Sequence, residues 1–455
     1  MSTNPGPAST VTTNTQPLTS GEFSSEIAST FSLTKRARNI AFLGDSNTDN
    51  GFFPSNGSVR LTNVSSAKFF TDVLPFAWAQ AQEGLDFDNL YNFAVKGKTC
   101  QDALGWLDQV IAARPDVCVV GFGQNEASAS MNVGVFATYM GQIYTQLIQA
   151  GIYVIALLCP PYGAPGNVNN TQAKVNLVSQ YNQFIVNFWK GNTLTGASVD
   201  IFTGMADTTV ARAPCKTNYF WDLAQDPSIH YANLAAIAAG AALAPALTPI
   251  MALKQLPINN NDTKVLNPWS TNILDNPCFI GTSGTKGTGT TGTVATNWNT
   301  LGSTTHVTGV AQIVAPLTGV GNSQEVVWTS DATGGNGFIY TDGVQSRAVL
   351  GDNLQGGVLI RISGATNLIQ LKVNWADNVG GSWEWGSTNN NGTGGGSERQ
   401  PLPSDFVLKC VLTPKASWSY SGSPTLRLWV QAVFGGVGGA TVQIERAALW
   451  NTGNA

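Results

Sequence analysis

The sequence predicts an α/β protein, a three-layer α/β/α sandwich around a parallel sheet, followed by an antiparallel β-sandwich of jelly-roll type. Three observations carry that prediction. Short, nearly continuous apolar runs alternate with helical stretches from Ala37 to about Leu253. The helical period disappears after Asn272, where alternating strands and glycine-rich turns take over. The first apolar run, Ile40-Ala41-Phe42-Leu43, feeds into a small polar turn, Gly44-Asp45-Ser46-Asn47-Thr48. Parallel strands are covered on both faces and so read as unbroken apolar segments, whereas half-exposed antiparallel strands alternate.

The 34 residues from Met1 to Thr34 are rich in Ser, Thr, Asn and Pro and have neither a basic start nor an apolar stretch. They predict an extended connector or attachment segment, residues 1–36, and no secretory signal. Residues 37–254 form the α/β unit. Its strands are expected at Asn39–Leu43, Leu90–Ala94, Val117–Phe122, Ile152–Leu158 and Val199–Phe202. Helices are expected at Phe136–Ala150, with Gly151 as a stop signal, at Gln172–Trp189 and at Asn233–Ala244. The apolar run Ala232–Leu253 approaches membrane length, but it is alanine-heavy and broken by Pro245 and Pro249, which predicts a helix buried on the sheet. Residues 255–271 are a linker, and residues 272–455 hold the β-sandwich, with alternating runs such as Leu426–Gln431 and Val442–Glu445.

Composition narrows the partners. Charged residues make up 11% of the chain and the net charge is −4, which argues against nucleic acid held on a basic face. Six widely spaced cysteines show no C-x-x-C pattern and are expected to be reduced and buried. With His230 and His306 as the only histidines, and far apart, no zinc pattern is present. Gly97-Lys98-Thr99 resembles the end of a phosphate-binding loop, but position 92 is asparagine where that loop needs glycine. No cofactor is called for, and no membrane insertion.

Open α/β sheets bind ligands at the carboxyl ends of their strands, where several polar groups are expected to meet. Ser46 ends the first strand. Gly97 follows the second and offers an unshielded N–H; Asn125, within Gly123-Gln124-Asn125-Glu126, follows the third and offers a side-chain donor. His230 comes late, in Asp226-Pro227-Ser228-Ile229-His230. A neutral imidazole can take a serine proton and return it to a leaving group, with a carboxylate orienting the ring. Singly, each residue also has a structural reading, as a turn, a helix cap or a packed side chain. Gly-x-Ser-x-Gly is absent, since position 48 is threonine.

In this order, over roughly Arg38–Gly240, these blocks resemble the SGNH, or GDSL-type, hydrolases, esterases and lipases whose namesake residues are Ser, Gly, Asn and His. The resemblance implies a flavodoxin-like three-layer fold. It makes Ser46 the nucleophile, His230 the base, and the Ser46 N–H, Gly97 and Asn125 the oxyanion donors. Two positions depart from the family pattern. Glu126 stands where Asp usually follows the Asn, and Pro227 occupies the place of the orienting Asp, leaving Asp226 for that role and Asp222 in reserve.

Most of the 13 tryptophans lie in the second half, and Trp383-Glu384-Trp385 is the pair expected to be exposed for stacking on sugars. The stretch Asn276-Pro277-Cys278-Phe279-Ile280-Gly281-Thr282 resembles the opening of carbohydrate-binding-type sandwiches on bacteriophage tail proteins. Together the two resemblances imply an esterase that removes O-acyl groups, most often acetyl, from capsule or O-antigen polysaccharide. They place it on a virion tail outside the cell, as a homo-oligomer, commonly a trimer, with other virion proteins as partners. A secreted lipase or carboxylesterase, and an inactive carbohydrate-binding adhesin, are the alternatives.

Overall fold

The computed structural model describes residues 37–53, 68–220, 229–260 and 272–454, the last with breaks at 304–305, 317–318, 320, 333, 344, 378–381, 388–399 and 419–424. In chain order the first half contains β1 (Asn39–Gly44), the short strands β2 (Phe52–Phe53) and β3 (Lys68–Phe70), then β4 (Asn89–Asn92), β5 (Val117–Gly121), β6 (Tyr153–Leu157) and β7 (Gly196–Val199). Five of these make a wholly parallel sheet in the order β4-β1-β5-β6-β7. The strand order reverses beside β1, so a crevice opens between the carboxyl ends of β1 and β5, where such sheets bind ligands.

Helices cover both faces, as a parallel sheet requires. On one face Leu107–Ala112, Val133–Gln149 and Gln172–Lys190 bury Leu107, Val110, Phe136, Tyr144, Tyr181 and Trp189 against Ala41, Leu43, Cys118 and Val154. The two longer helices begin at side-chain caps, Asn132 accepting from the Gly134 N–H and Thr171 from the Lys174 N–H. On the other face lie helices Pro75–Glu83 and Asn233–Leu247. They pack closely because Gly240 has no side chain; a Cβ there would stand 2.6 Å from the Trp78 Cβ and 2.7 Å from the Pro75 carbonyl. Among the described residues no helix is long and apolar enough to cross a membrane.

One expected strand is displaced. The sequence pointed to Val199–Phe202, but β7 ends at Val199 and Phe202 opens a short helix, Phe202–Met205. Asp200 explains the break: its carboxylate accepts the Thr203 N–H at 2.9 Å and the Thr203 hydroxyl at 2.6 Å, favouring a turn over continued strand. All six cysteines are free and buried.

The second half adds β8 (Ser283–Lys286), β9 (Thr290–Gly292), β10 (Val294–Gly302), β11 (Val307–Val314), β12 (Ser323–Ser330) and β13 (Gly335–Asp342). Then follow β14 (Asp352–Asp377), β15 (Ser382–Ser387), β16 (Phe406–Leu412), β17 (Ala416–Ser417) and β18 (Leu426–Asn454). Pairing is mainly antiparallel and centres on β14 and β18, which run together from Asp352↔Asn454 to Asp377↔Leu426. Their register shifts between Ser363 and Gln370, where the glycines of β18 approach β14. A Cβ on Gly438 would lie 2.2 Å from the Thr366 carbonyl oxygen. The bend lets two long strands serve both layers of a sandwich whose core holds Trp298, Trp328 and Trp375.

The two halves share one apolar cluster, which runs from Phe42, Phe76 and Trp78 through Trp385 to Leu408 and Val430. Strand β15 pairs in parallel with β3, and β3 with β2, so a sheet of the sandwich continues into the first half. The Gln80 amide donates to the Cys410 carbonyl at 3.0 Å and accepts the Leu412 N–H at 3.2 Å. Asn233 and Gln400 exchange two more hydrogen bonds. Helix Pro75–Glu83, buried from Pro75 to Ala81, is thereby enclosed by both units.

This junction corrects the expectation for Trp383 and Trp385. Trp385 is 0% exposed, packs edge-on against Trp78 with centroids 5.4 Å apart, and donates its indole N–H to the Ala77 carbonyl. Trp383 stacks on Trp375 at 3.9 Å. The pair lies on a strand that closes the junction, so neither ring forms the exposed stacking surface expected from the sequence.

Candidate active site

Buried β1 ends at Gly44, where the chain turns so tightly that a Cβ would lie 2.8 Å from the Gly121 carbonyl and 2.7 Å from the Thr48 hydroxyl. Asp45 caps the short helix Ser46–Asp49, its carboxylate accepting the Asn47 N–H at 2.9 Å. Ser46 is the first helical residue, where a backbone N–H has no intrahelical acceptor. Its hydroxyl lies 2.9 Å from His230 Nε2. Residues 184 positions apart are thus within hydrogen-bonding distance.

One contact that positions the segment beside the histidine has no signal in the sequence. Asn47, one residue after the serine, accepts the Tyr231 N–H at 3.2 Å, tying the segment beside His230 to the serine helix. On the far side of His230 the chain enters the buried helix Asn233–Leu247.

The other two expected residues come from neighbouring strands. The Val95 N–H donates to the Gly44 carbonyl at 3.0 Å, laying the segment before Gly97 along the serine turn. The Asp49 carboxylate accepts from Asn92 Nδ2 at 3.0 Å and reinforces that alignment. Gly97 adopts φ +71°, with nothing within 4 Å of the place a Cβ would occupy. Asn125 donates one amide N–H to the Lys98 carbonyl at 2.9 Å, which orients its side chain and leaves its second amide hydrogen for another acceptor.

Glu126, the departure noted beside Asn125, has a defined place. It is 0% exposed and accepts the Cys100 N–H at 2.6 Å and the Gly123 N–H at 2.7 Å, clamping the loop that carries Gly97 to the turn that carries Asn125. Burial raises its pKa against the pull of these hydrogen bonds. Gly123, at φ +134°, has no room for a side chain, since a Cβ would stand 2.0 Å from Cys159 Sγ. Burial likewise pushes the Asp45 carboxyl up to about 7, with the charge of Glu126 adding to the effect and His230 opposing it. Asp222 and Asp226, the expected partners of the imidazole, lie outside the described residues.

A serine hydroxyl against an imidazole nitrogen is an arrangement suited to acyl transfer. Residues 42–239 match the GDSL-like Lipase/Acylhydrolase family. Among solved structures, a lipase/acylhydrolase from Enterococcus faecalis aligns at 22% identity and TM-score 0.35, covering 48% of this chain and 99% of that one. An acetyl xylan esterase from Geobacillus stearothermophilus aligns at 14% identity and TM-score 0.37, covering 49% and 100%. A GDSL-like lipase from Bacteroides thetaiotaomicron aligns at 13% and 0.33, covering 50% and 96%. No curated protein matches the chain. Ser46, at the end of β1, and His230, just before the helix Asn233–Leu247, both fall within residues 42–239, the stretch that resembles the GDSL-like Lipase/Acylhydrolase family.

Proposed function

We propose that this protein is a serine ester hydrolase that removes O-acetyl groups from a bacterial surface polysaccharide. The observation that carries the chemistry is the 2.9 Å contact between Ser46 Oγ and His230 Nε2. His230 Nε2 takes the hydroxyl proton as Ser46 Oγ attacks the ester carbonyl. The resulting oxyanion is held by the N–H groups of Ser46 and Gly97 and the free amide hydrogen of Asn125. The imidazolium returns the proton to the sugar oxygen, the C–O bond breaks, and the acetyl group remains on Ser46. Water, deprotonated by His230, then releases acetate.

The polysaccharide reading has two supports. The loop from Pro160 to Thr171 beside the site is rich in Asn and Gly and is fixed by Gln124, whose amide donates to the Pro160 carbonyl at 2.9 Å. Polar loops over a strand-end crevice suit hydroxyl-rich substrates better than acyl chains. The second support is the likeness of the Asn276–Thr282 segment to sandwiches on phage tail proteins, on which the proposed virion location, trimeric assembly and carbohydrate-binding role of the second half rest. Labelling with a fluorophosphonate, followed by acetate release from p-nitrophenyl acetate and from acetylated capsule, tests the proposal. Modification at Ser46 together with acetate release is the expected result; an unlabelled, inactive protein would favour the adhesin.

A further inference from the structure

We propose that the cleft beyond the ends of β6 and β7 is a second sugar subsite, occupied by a unit of the chain next to the one being deacetylated. This rests on the esterase reading above. The cleft encloses about 310 Å³, at the lower end of the range of roughly 300–1,000 Å³ typical of ligand clefts. β6 and β7 are the second and third strands from β1, so at about 4.8 Å per strand the cleft begins ~10–14 Å from the serine. It opens on the same sheet edge as Ser46.

Its lining has the mixture of groups that recognises a saccharide. Leu158, Phe202 and Val178 supply an apolar wall for the C–H face of a ring, and around them stand Asp200, Arg212, Ser179 and Asn182. Both Asp200 oxygens accept from Thr203, which fixes the carboxylate while leaving lone pairs for a sugar hydroxyl. The Arg212 guanidinium is pinned through Nη1 to the Asn170 carbonyl, and among the described residues it has no carboxylate partner. That bond ties Arg212 to the polar loop from Pro160 to Thr171. Asn182 is held by the Cys159 backbone through both ends of its amide, at 2.7 and 3.1 Å. Several donors and acceptors are therefore already oriented, which lowers the entropy lost on binding. The single fixed carboxylate beside a single guanidinium leaves the cleft near neutrality and favours an uncharged, hydroxyl-rich unit.

The test is a length series: p-nitrophenyl acetate, glucose pentaacetate, cellobiose octaacetate and acetylated xylan, assayed with the full chain. For the parent protein, kcat/KM per acetyl group should rise at least tenfold from the glucose to the cellobiose ester, through KM. In Arg212→Ala that gain should fall to threefold or less. Ser179→Trp, which fills the cleft from an exposed helical position, should abolish it with an unchanged Tm. A parent that is active on p-nitrophenyl acetate but shows no gain with length overturns the subsite alone, as does a gain that survives both substitutions. A parent inactive on every ester overturns the esterase reading and the subsite with it.

Discussion

Each half of this molecule contains one histidine, and the two have opposite fates. His230 sits against the Ser46 hydroxyl at a strand-end crevice of a parallel sheet. His306 sits on the surface of the sandwich, its Nδ1 3.0 Å from an exposed Asp331 carboxylate. The difference lies in what each architecture does with polar side chains. A parallel sheet sends all its strands in one direction, so Ser46, Gly97 and Asn125 arrive at the same edge from distant parts of the chain. An antiparallel sandwich distributes its turns over both ends and uses its largest side chains for filling. Trp298, Trp328, Trp375 and Trp385 are buried structural groups, and its histidine lies against a surface carboxylate.

That contrast can be broken most sharply at the serine. Ser46→Ala should lower kcat on p-nitrophenyl acetate at least ~10,000-fold with an unchanged melting temperature, since removing a nucleophile disables the whole relay. The counterpart on the other side is Trp385→Ala. It removes an indole packed on Trp78 at the junction and should cost about 3–5 kcal/mol of stability, measured by urea denaturation. If the two halves were independent, only one of two transitions would move; the shared core predicts that both halves unfold earlier.

Asp45 offers a pH-dependent comparison. Its folded pKa, about 7, lies above that of an unfolded aspartate, so between pH 4 and 7 the folded state holds a proton the unfolded state has released. Stability therefore falls as pH rises through this window. Asp45→Asn keeps a capping oxygen and removes the ionisation, so its stability relative to the parent should climb from pH 4 to pH 7 by up to about 4 kcal/mol, then level off. A gap between their melting temperatures that does not change with pH would show that Asp45 titrates normally.

Asn125→Ala should lower kcat by about 100- to 1,000-fold, the usual effect of losing one oxyanion donor, with a smaller change in KM. The smallest effect belongs to the sandwich's histidine. His306→Gln removes an exposed pair and should shift stability by less than about 0.5 kcal/mol, with esterase activity intact. A loss of activity in that variant would erase the distinction between the halves.

The architecture was legible where burial dictates pattern. The apolar runs at β1, β5 and β6 could only be strands covered on both sides, and the stop signal Gly151 lies just past the helix Val133–Gln149. The β7 region was misplaced because Gly196-Ala197-Ser198 lacks an apolar run, although it pairs with β6, while apolar Ile201 and Phe202 lie past the strand. Ser46, Gly97 and Asn125 were legible as polar groups following strands and His230 as the histidine before the last helix, and the structure adds the contact between Ser46 and His230. The groups that align them were not legible. Asn47 holding Tyr231, Asp49 holding Asn92, and Glu126 bridging Cys100 and Gly123 are contacts between distant segments, and no local spacing announces them. The same holds for Trp385, whose partner lies across the junction.

The pairing of Lys68 with Glu384 and of Phe69 with Trp385 also imposes an order of events during synthesis. A nascent chain has delivered Ser46 through His230 long before the ribosome reaches the strand that completes the seam around Phe69 and Trp78. Until then those rings face water, and a polypeptide stopped at residue 254 should clump rather than accumulate as a loose hydrolase. The soluble yield of such a shortened chain measures this, and a well-behaved fragment would refute it. The seam thus couples the solubility of the first half to a strand, Ser382–Ser387, that is made long after His230.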